Sequence, residues 1–222
     1  MVHEGSAVSK QALRRIPFYL NYLRSLPEME VQNVSAPMIA KALNLNEVQV
    51  RKDLAAISSS GGRPKTGYNA SELTSDIERF LGYQNVNEAV LVGTGHLGRA
   101  LLSYRGFEHY GLEIIAAFDS DESIVDQDIH GRPVFPVYKL VDLTRRLNVR
   151  IGIIAVPAEA AQQVCDMLVE AGVLAIWNFA PIHLTVPDHI LVQNENMAAS
   201  LAILSRHLQE MFDANESLDN EG

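Results

Sequence analysis

The stretch Gly93-Thr94-Gly95-His96-Leu97-Gly98 constrains the fold of this chain more than any other segment. It follows an apolar run, Ala89-Val90-Leu91-Val92, and opens a helical pattern through Leu102. The first glycine permits a tight turn after a strand, the second lets backbone approach a pyrophosphate, and the third lets the helix pack close to the sheet. Phosphates then meet free N–H groups at the helix N-terminus. A second apolar run, Ile114 to Phe118, ends in Asp119, 21 residues after Gly98. An acid at that place can accept hydrogen bonds from the adenosine ribose hydroxyls. Its charge repels a 2′-phosphate, and Ser120-Asp121 supplies no arginine, so NAD(H) is expected over NADP(H). His96 is expected beside the pyrophosphate without a catalytic part.

Apolar runs and helical periods alternate after that unit. Strands are expected at 89–92, 114–118, 134–135, 151–156, 174–178 and 190–193, and helices at 96–104, 138–147 and 158–172. That alternation predicts a parallel sheet covered on both faces, a Rossmann-like domain. Ligands bind such sheets at the carboxyl ends of the strands. Val156-Pro157 and Asn178-Phe179-Ala180-Pro181 sit at two of those ends and are read either as pocket lining or as turns. From Asn196 to Phe212, Met197, Leu201, Leu204, Leu208 and Met211 give a last helix one apolar face, suited to its own sheet or to a second subunit.

The chain before residue 85 reads differently. Ser9 to Leu26 has helical spacing, with Pro17 expected to kink it or delay its start. Ser35 caps a short helix with Pro37 in its first turn and a stripe of Met38, Ile39, Ala42 and Leu43. Asn46 and Gln49 resemble a capping box that opens a helix to about Ile57. Val48, Leu54 and Ile57 are expected inside it, and Gln49, Arg51, Lys52 and Ser58 outside, as DNA-binding residues. A turn-rich, basic hairpin follows from Ser58 to Tyr68, then a linking helix capped by Ser71. Two short helices and a basic hairpin form a winged helix. Gln49 can read adenine edges, Arg51 and Lys52 can hold phosphates or read guanine, and Arg63-Pro64-Lys65 can enter a minor groove.

Charge follows the same division. The 222 residues carry a net −9, but the first 84 hold ten Lys/Arg against eight Asp/Glu and the remainder eight against nineteen. Such asymmetry is expected when one domain faces phosphates and the other does not. No run approaches the ~20 apolar residues of a membrane span and no signal-peptide core stands at the start, so a cytoplasmic protein is expected. Cys165 is the only cysteine, which excludes an internal disulfide and reads as a small apolar residue on a helix. There is no Tyr-x-x-x-Lys pair, no clustered Cys/His metal spacing and no histidine with an orienting acid at useful spacing. No catalytic or metal-ligating residue is expected.

Gln49-Val50-Arg51-Lys52-Asp53-Leu54, the hairpin ending Thr66-Gly67-Tyr68-Asn69, the glycine motif continuing through Arg99-Ala100-Leu101, and Asn178-Phe179-Ala180-Pro181 together resemble the Rex family of redox-sensing transcriptional repressors. The likeness spans about residues 9–210. It implies a homodimer of winged-helix and Rossmann domains with a C-terminal helix swapped into the partner. It also implies an A/T-rich palindromic operator, released when NADH rises. Arg51, Lys52, Arg63 and Lys65 fall in its DNA-facing segments, and Gly93, Gly95, Gly98 and Asp119 in its cofactor site. Arg15 and Tyr104 match an Arg and a Tyr that couple the pocket to the reading heads. Where the family often has an Asp joining that network, this chain has Asn196, which can hydrogen bond but cannot form an ion pair.

The expected organisation is therefore a winged-helix domain with linker at 1–84, a Rossmann domain at 85–195, a dimerisation helix at 196–212 and a disordered tail at 213–222. Two other readings stand beside it: an NAD-dependent dehydrogenase with a basic N-domain, and a DNA-binding regulator responding to another nucleotide such as coenzyme A.

Overall fold

A computed structural model describes residues 8–27 and 32–219. The chain divides into two compact units, residues 1–85 and 86–222.

The first unit is helical with a small hairpin. Helix α1 (Lys10–Ser25) starts at Ser9, whose hydroxyl accepts from the Ala12 N–H at 3.2 Å. It starts before Pro17 and holds that proline in its interior, so Pro17 does not delay its start. Ile16, Tyr19 and Leu20 around that proline are fully buried, and their packing outweighs the ~3 kcal/mol a helix-interior proline costs. Strand β1 (Asn33–Val34) leads into α2 (Ala36–Leu43), capped by Ser35, and Asn44 in left-handed conformation turns the chain into α3 (Glu47–Ile57). The α2 core stripe is Ala36, Ile39 and Ala40 rather than one including Met38 and Ala42. On α3 the inner residues are Val50, Asp53 and Leu54; Val48, expected inside, is 61% exposed. Strand β2 (Tyr68–Asn69) pairs antiparallel with β1 and leads into α4 (Ala70–Leu81). The α4 cap is Asn69, accepting from the Glu72 N–H at 3.0 Å, two residues before the expected Ser71.

The second unit is a seven-stranded sheet. Its strands are β3 (Asn87–Val92), β4 (Leu112–Asp119), β5 (Asp128–Ile129), β6 (Arg132–Pro136), β7 (Ile151–Ile154), β8 (Ala175–Asn178) and β9 (Leu191–Asn194), in the spatial order β5-β6-β4-β3-β7-β8-β9. All pairings are parallel except the edge hairpin β5–β6, which strand patterning alone did not reveal. One face packs Val90, Val92, Phe118 and Ile154 against α6 (Leu140–Arg146) and α7 (Ala158–Glu170). The other packs Leu91, Ala117 and Ile153 with Leu102 of α5 (His96–Ser103) and Phe107. Strand order reverses between β4, β3 and β7, the switch point where open α/β sheets leave a crevice at their carboxyl ends.

Helix α8 (Met197–Asp219) follows β9. The Asn196 side chain accepts from the Ala199 N–H at 2.9 Å and caps it. The helix does not end near Phe212 as expected but continues through the first seven residues of the predicted disordered tail; the remaining three lie outside the described residues. No Pro or Gly interrupts the sequence from Met197 until Gly222, and Gln209 donates to Asp213 across one turn at 2.8 Å. Among the described residues no helix is long and apolar enough to cross a membrane.

Candidate dinucleotide crevice and nucleic-acid surface

A cavity of about 400 Å³ opens at the switch point. Gly93 and Gly95 line its floor, Asp119, Ser120, Asp121 and Ile124 one side, and Val156, Pro157, Gln163, Val164 and Met167 the other, with Val137 at the β6 end. The three glycines have different reasons to be there. Gly93 has φ +97°, and a Cβ on it would stand 2.6 Å from the Ala155 carbonyl oxygen. A Cβ on Gly98 would lie 1.9 Å from the Gly93 carbonyl oxygen, so α5 could not approach the turn. Gly95 is another case. Its backbone is extended, φ −63°, ψ −167°, and a Cβ would meet no heavy atom within 4 Å. Neither conformation nor packing requires glycine there. What remains is open space at the N-cap of α5, whose first N–H groups have no side-chain cap.

Asp119 ends β4 at half burial. Its Oδ2 accepts from both the Thr94 N–H and the Thr94 hydroxyl at 2.6 Å, and its Oδ1 accepts from the Asp121 N–H at 3.0 Å. Burial alone would push the carboxyl up, but the bonds from the Thr94 hydroxyl and from the Asp121, Thr94 and Ser120 N–H groups outweigh it and hold it below the usual carboxylate range. Thr94 is itself fully buried, and Arg99 Nε donates to its carbonyl at 3.0 Å. The glycine loop, Asp119 and α5 are thus one bonded unit. Asp121 is held below its ordinary range by the Ser123 hydroxyl and N–H, with Arg99 adding to the effect. That cation near the acids went unnoticed in the sequence because it lies one turn along α5 rather than after β4.

Of the residues expected at the crevice, Gly93, Gly95, Asp119, Val156 and Pro157 line it together. Thr94 stands behind Asp119, and Gly98 is buried where α5 meets the glycine loop, while His96 is exposed and Leu97 half-buried in the first turn of that helix. Phe179 does not line the cavity. It belongs to an aromatic row on the α5 side, Tyr104–Phe107–Trp177–Phe179, with ring centroids 4.9, 5.5 and 4.9 Å apart. Trp177 Nε1 donates to Glu195 at 3.0 Å, joining the row to the residue before the α8 cap. Asn178 is fully buried and spends its amide on Ala180, Ile182 and Asn194, so it staples the loop after β8. Sequence reasoning missed Ile124, Val137, Gln163, Val164 and Met167, since loop and helix residues carry no motif. Cys165 is fully buried on α7, and burial pushes its thiol up to about 11, which leaves it inert. Among the described residues no His/Cys/Asp/Glu group could hold a metal ion.

In the first unit α3 exposes Gln49, Arg51 and Lys52, with Arg51 paired to Glu47 one turn back. Ser58 is half-buried; its hydroxyl accepts from the Gly61 N–H at 3.1 Å and starts the hairpin. Arg63 and Gly67 exchange backbone hydrogen bonds of 2.8 and 2.9 Å, leaving Pro64-Lys65-Thr66 as a tip with Lys65 at φ +67°. Arg51, Arg63 and Lys65 share a groove with Ser35 and Pro37 at the start of α2.

Two buried carboxylates fix α3. Asp53 accepts from Arg15 Nε at 3.0 Å, from Arg15 Nη2 at 2.9 Å and from the Tyr19 hydroxyl at 2.8 Å. Burial first, then the bond to Asp53, pushes the Tyr19 hydroxyl up to about 12. Asp76 of α4 accepts from the Ser59 N–H at 2.7 Å and from the Ser59 hydroxyl, just past the end of α3. Arg15 is thus bound to the exposed-faced helix itself, a partnership 38 residues apart that the sequence did not announce.

A helix–turn–helix with a basic hairpin, in one chain with a doubly wound dinucleotide-type sheet, defines a ligand-responsive transcription regulator. A family model for a CoA binding domain matches residues 85–182, and one for a putative DNA-binding protein N-terminus matches residues 7–55. The redox-sensing transcriptional repressor Rex of Bacteroides thetaiotaomicron is 38% identical over 201 residues, covering 90% of this chain and 91% of that protein. The Rex of Carboxydothermus hydrogenoformans is 39% identical, covering 93% and 99%. The crystal structure of RSP in complex with beta-NAD+ and operator DNA superposes with a TM-score of 0.85 at 32% identity, covering 96% of this chain and 98% of that one. RSP in complex with beta-NADH gives 0.82 at 32% identity, covering 95% and 99%. The chain belongs to the Rex family of redox-sensing transcriptional repressors. It is a repressor and not a dehydrogenase.

Proposed function

We propose that this protein is a cytoplasmic homodimer that grips an A/T-rich palindromic operator through its winged-helix units and lets go when NADH enters the crevice. The observation that carries the reading is Gly95: a glycine required by neither backbone nor packing, opening the N-terminus of α5 onto a cavity rimmed by Asp119. There the pyrophosphate meets backbone N–H groups, and Asp119 faces the adenosine ribose. Val156 and Pro157 flank the nicotinamide half. The relative RSP has been crystallised with NADH and with NAD+ and operator DNA, which supports the same ligands here.

The CoA-type family match over residues 85–182 raises coenzyme A as a second reading. Coenzyme A carries a phosphate on its ribose, and the ionised Asp119 disfavours it as it disfavours NADP(H). Gln49, Arg51 and Lys52 serve the major groove, Arg63, Pro64 and Lys65 the minor groove, and Ser58 sets the hairpin. The apolar side chains that α8 leaves exposed, Leu201, Leu204, Leu208 and Met211, supply the subunit contact. Arg15, Tyr104 and Asn196 couple crevice to reading heads.

An electrophoretic shift on A/T-rich palindromic duplexes, with NAD+ and NADH titrated separately, tests the proposal. NADH is expected to release the duplex at concentrations where NAD+ does not. Retention that ignores both oxidation states refutes it, and mass spectrometry of the natively purified protein distinguishes NAD(H) from coenzyme A.

A further inference from the structure

We infer that Val48 is a base-contacting residue that packs on the 5-methyl group of a thymine in the operator's major groove. The inference rests on α3 being the reading helix, as proposed above.

The inner face of α3 is fixed by Val50, Asp53 and Leu54, which are buried, with Ile57 half-buried. At 100° per residue the direction opposite that face is shared by Val48, Lys52 and Ala55, with Arg51 beside them. All four are exposed, and Val48 is 61% exposed. A β-branched apolar residue thus stands at the centre of the outer face, within the first turn of the helix, where recognition helices meet base edges. It contributes nothing to the core of its own unit.

The surroundings favour nucleic acid over an apolar protein partner. Arg51 and Lys52 lie on the same helix face, and Arg63 and Lys65 on the adjoining hairpin. The α3 acids are spoken for: Asp53 is buried under Arg15 and Tyr19, and Glu47 is paired with Arg51. A surface with cations around one apolar side chain matches a major groove, whose phosphates flank the bases and whose one apolar group is the thymine methyl. Ala55, further along the same face, extends the contact.

The test uses the full-length protein. Duplexes bound by the wild type are selected from a randomised pool without NADH, and each thymine of the selected half-site is replaced singly by deoxyuridine, which lacks only the methyl. One position per half-site is expected to weaken wild-type binding about fourfold, the value of ~0.8 kcal/mol for one buried methyl. Val48→Ala binds the thymine duplex more weakly, yet is indifferent to deoxyuridine at that position. Val48→Thr, which keeps a γ-methyl, restores part of the sensitivity. If no thymine methyl matters to the wild type, or if its removal costs Val48→Ala just as much, the assignment of Val48 is overturned while DNA binding stands. If the wild type selects no duplex at all, the DNA-reading role of α3 falls and this inference with it.

Discussion

Replacing Gly95 by alanine separates ligand binding from folding. Its φ of −63° is open to any L-residue, and the added Cβ meets no heavy atom of the protein within 4 Å. The apo protein therefore folds as before, or gains about 0.4–1 kcal/mol because the unfolded chain has less freedom to lose. On the reading proposed above, the same methyl stands where a pyrophosphate approaches the α5 N–H groups. Loss of one charge-assisted hydrogen bond costs about 1.5–3 kcal/mol, so NADH should bind roughly 10- to 150-fold more weakly. Calorimetric titration with NADH, paired with a thermal melt of the ligand-free protein, reads both quantities. Gly98→Ala is the contrasting control: its Cβ lies 1.9 Å from a backbone oxygen that no rotamer can move, so it lowers the melt itself by at least about 1–3 kcal/mol. NADH affinity within twofold of wild type in Gly95→Ala would refute the idea that this glycine reserves space for phosphate.

Asp119 has its carboxyl depressed, so what its ionised form contributes is present above the ordinary carboxylate value of about 4 and disappears as pH falls through the depressed one. Urea unfolding followed from pH 6 to pH 3 should show this acid-side loss in the wild type and a shallower one in Asp119→Asn; parallel curves would contradict it. Asp53→Asn removes the charge that binds Arg15 in a largely buried pair and should cost the first unit about 3 kcal/mol by thermal unfolding, with a Ser at an exposed site such as Gln49 leaving the melt unmoved. Leu204→Glu with Leu208→Glu places charge on the exposed face of α8, and sedimentation should then report monomers where the wild type reports dimers.

Much of the second unit was legible because its constraints are local. A glycine motif between two apolar strands dictates turn, helix and acid within 33 residues, and the crevice follows from it. The lining that was missed, such as Val137 and Met167, comes from elements that reach the crevice only through the strand order, which no local pattern encodes. Phe179 shows a complementary limit: a position at a strand end is readable, but the face its ring joins is decided by Trp177 and Phe107. Val48 differs from expectation because residue type is an incomplete guide to burial: tertiary packing buries Asp53 in place of Val48, and it likewise lets α1 start ahead of its proline. The cap of α4 is a smaller miss of the same kind. Both Asn69 and Ser71 can cap a helix, and the β1–β2 pairing decides between them by holding Asn69 extended just before the first free N–H groups.

The Arg15–Asp53–Tyr19 cluster bears on how a crevice could govern a reading helix. NADH can drive release only by binding a DNA-incompetent arrangement more tightly than the competent one. A near-complete switch needs roughly 5.5 kcal/mol of such preference, whereas single couplings run at about 1–3 kcal/mol. In the dimer proposed above, two cofactors bring the share of each site within that range, provided little is dissipated between crevice and helix. A loosely packed reading helix would dissipate it, since part of any displacement would be absorbed by its own motion. Here α3 is bonded to α1 through a bidentate Arg15 and a buried tyrosine hydroxyl, and the chain just past its end is bonded to α4 through Ser59 and Asp76. Hydrogen-bonded carboxylates resist sliding in a way that a purely apolar contact does not, because a shift of about 1 Å leaves a buried charge unsatisfied. These bonds tie α1, α3 and the start of the hairpin to α4, and Arg15 belongs to that set first; on the reading proposed above, a displacement of α1 is carried to the outer face of α3.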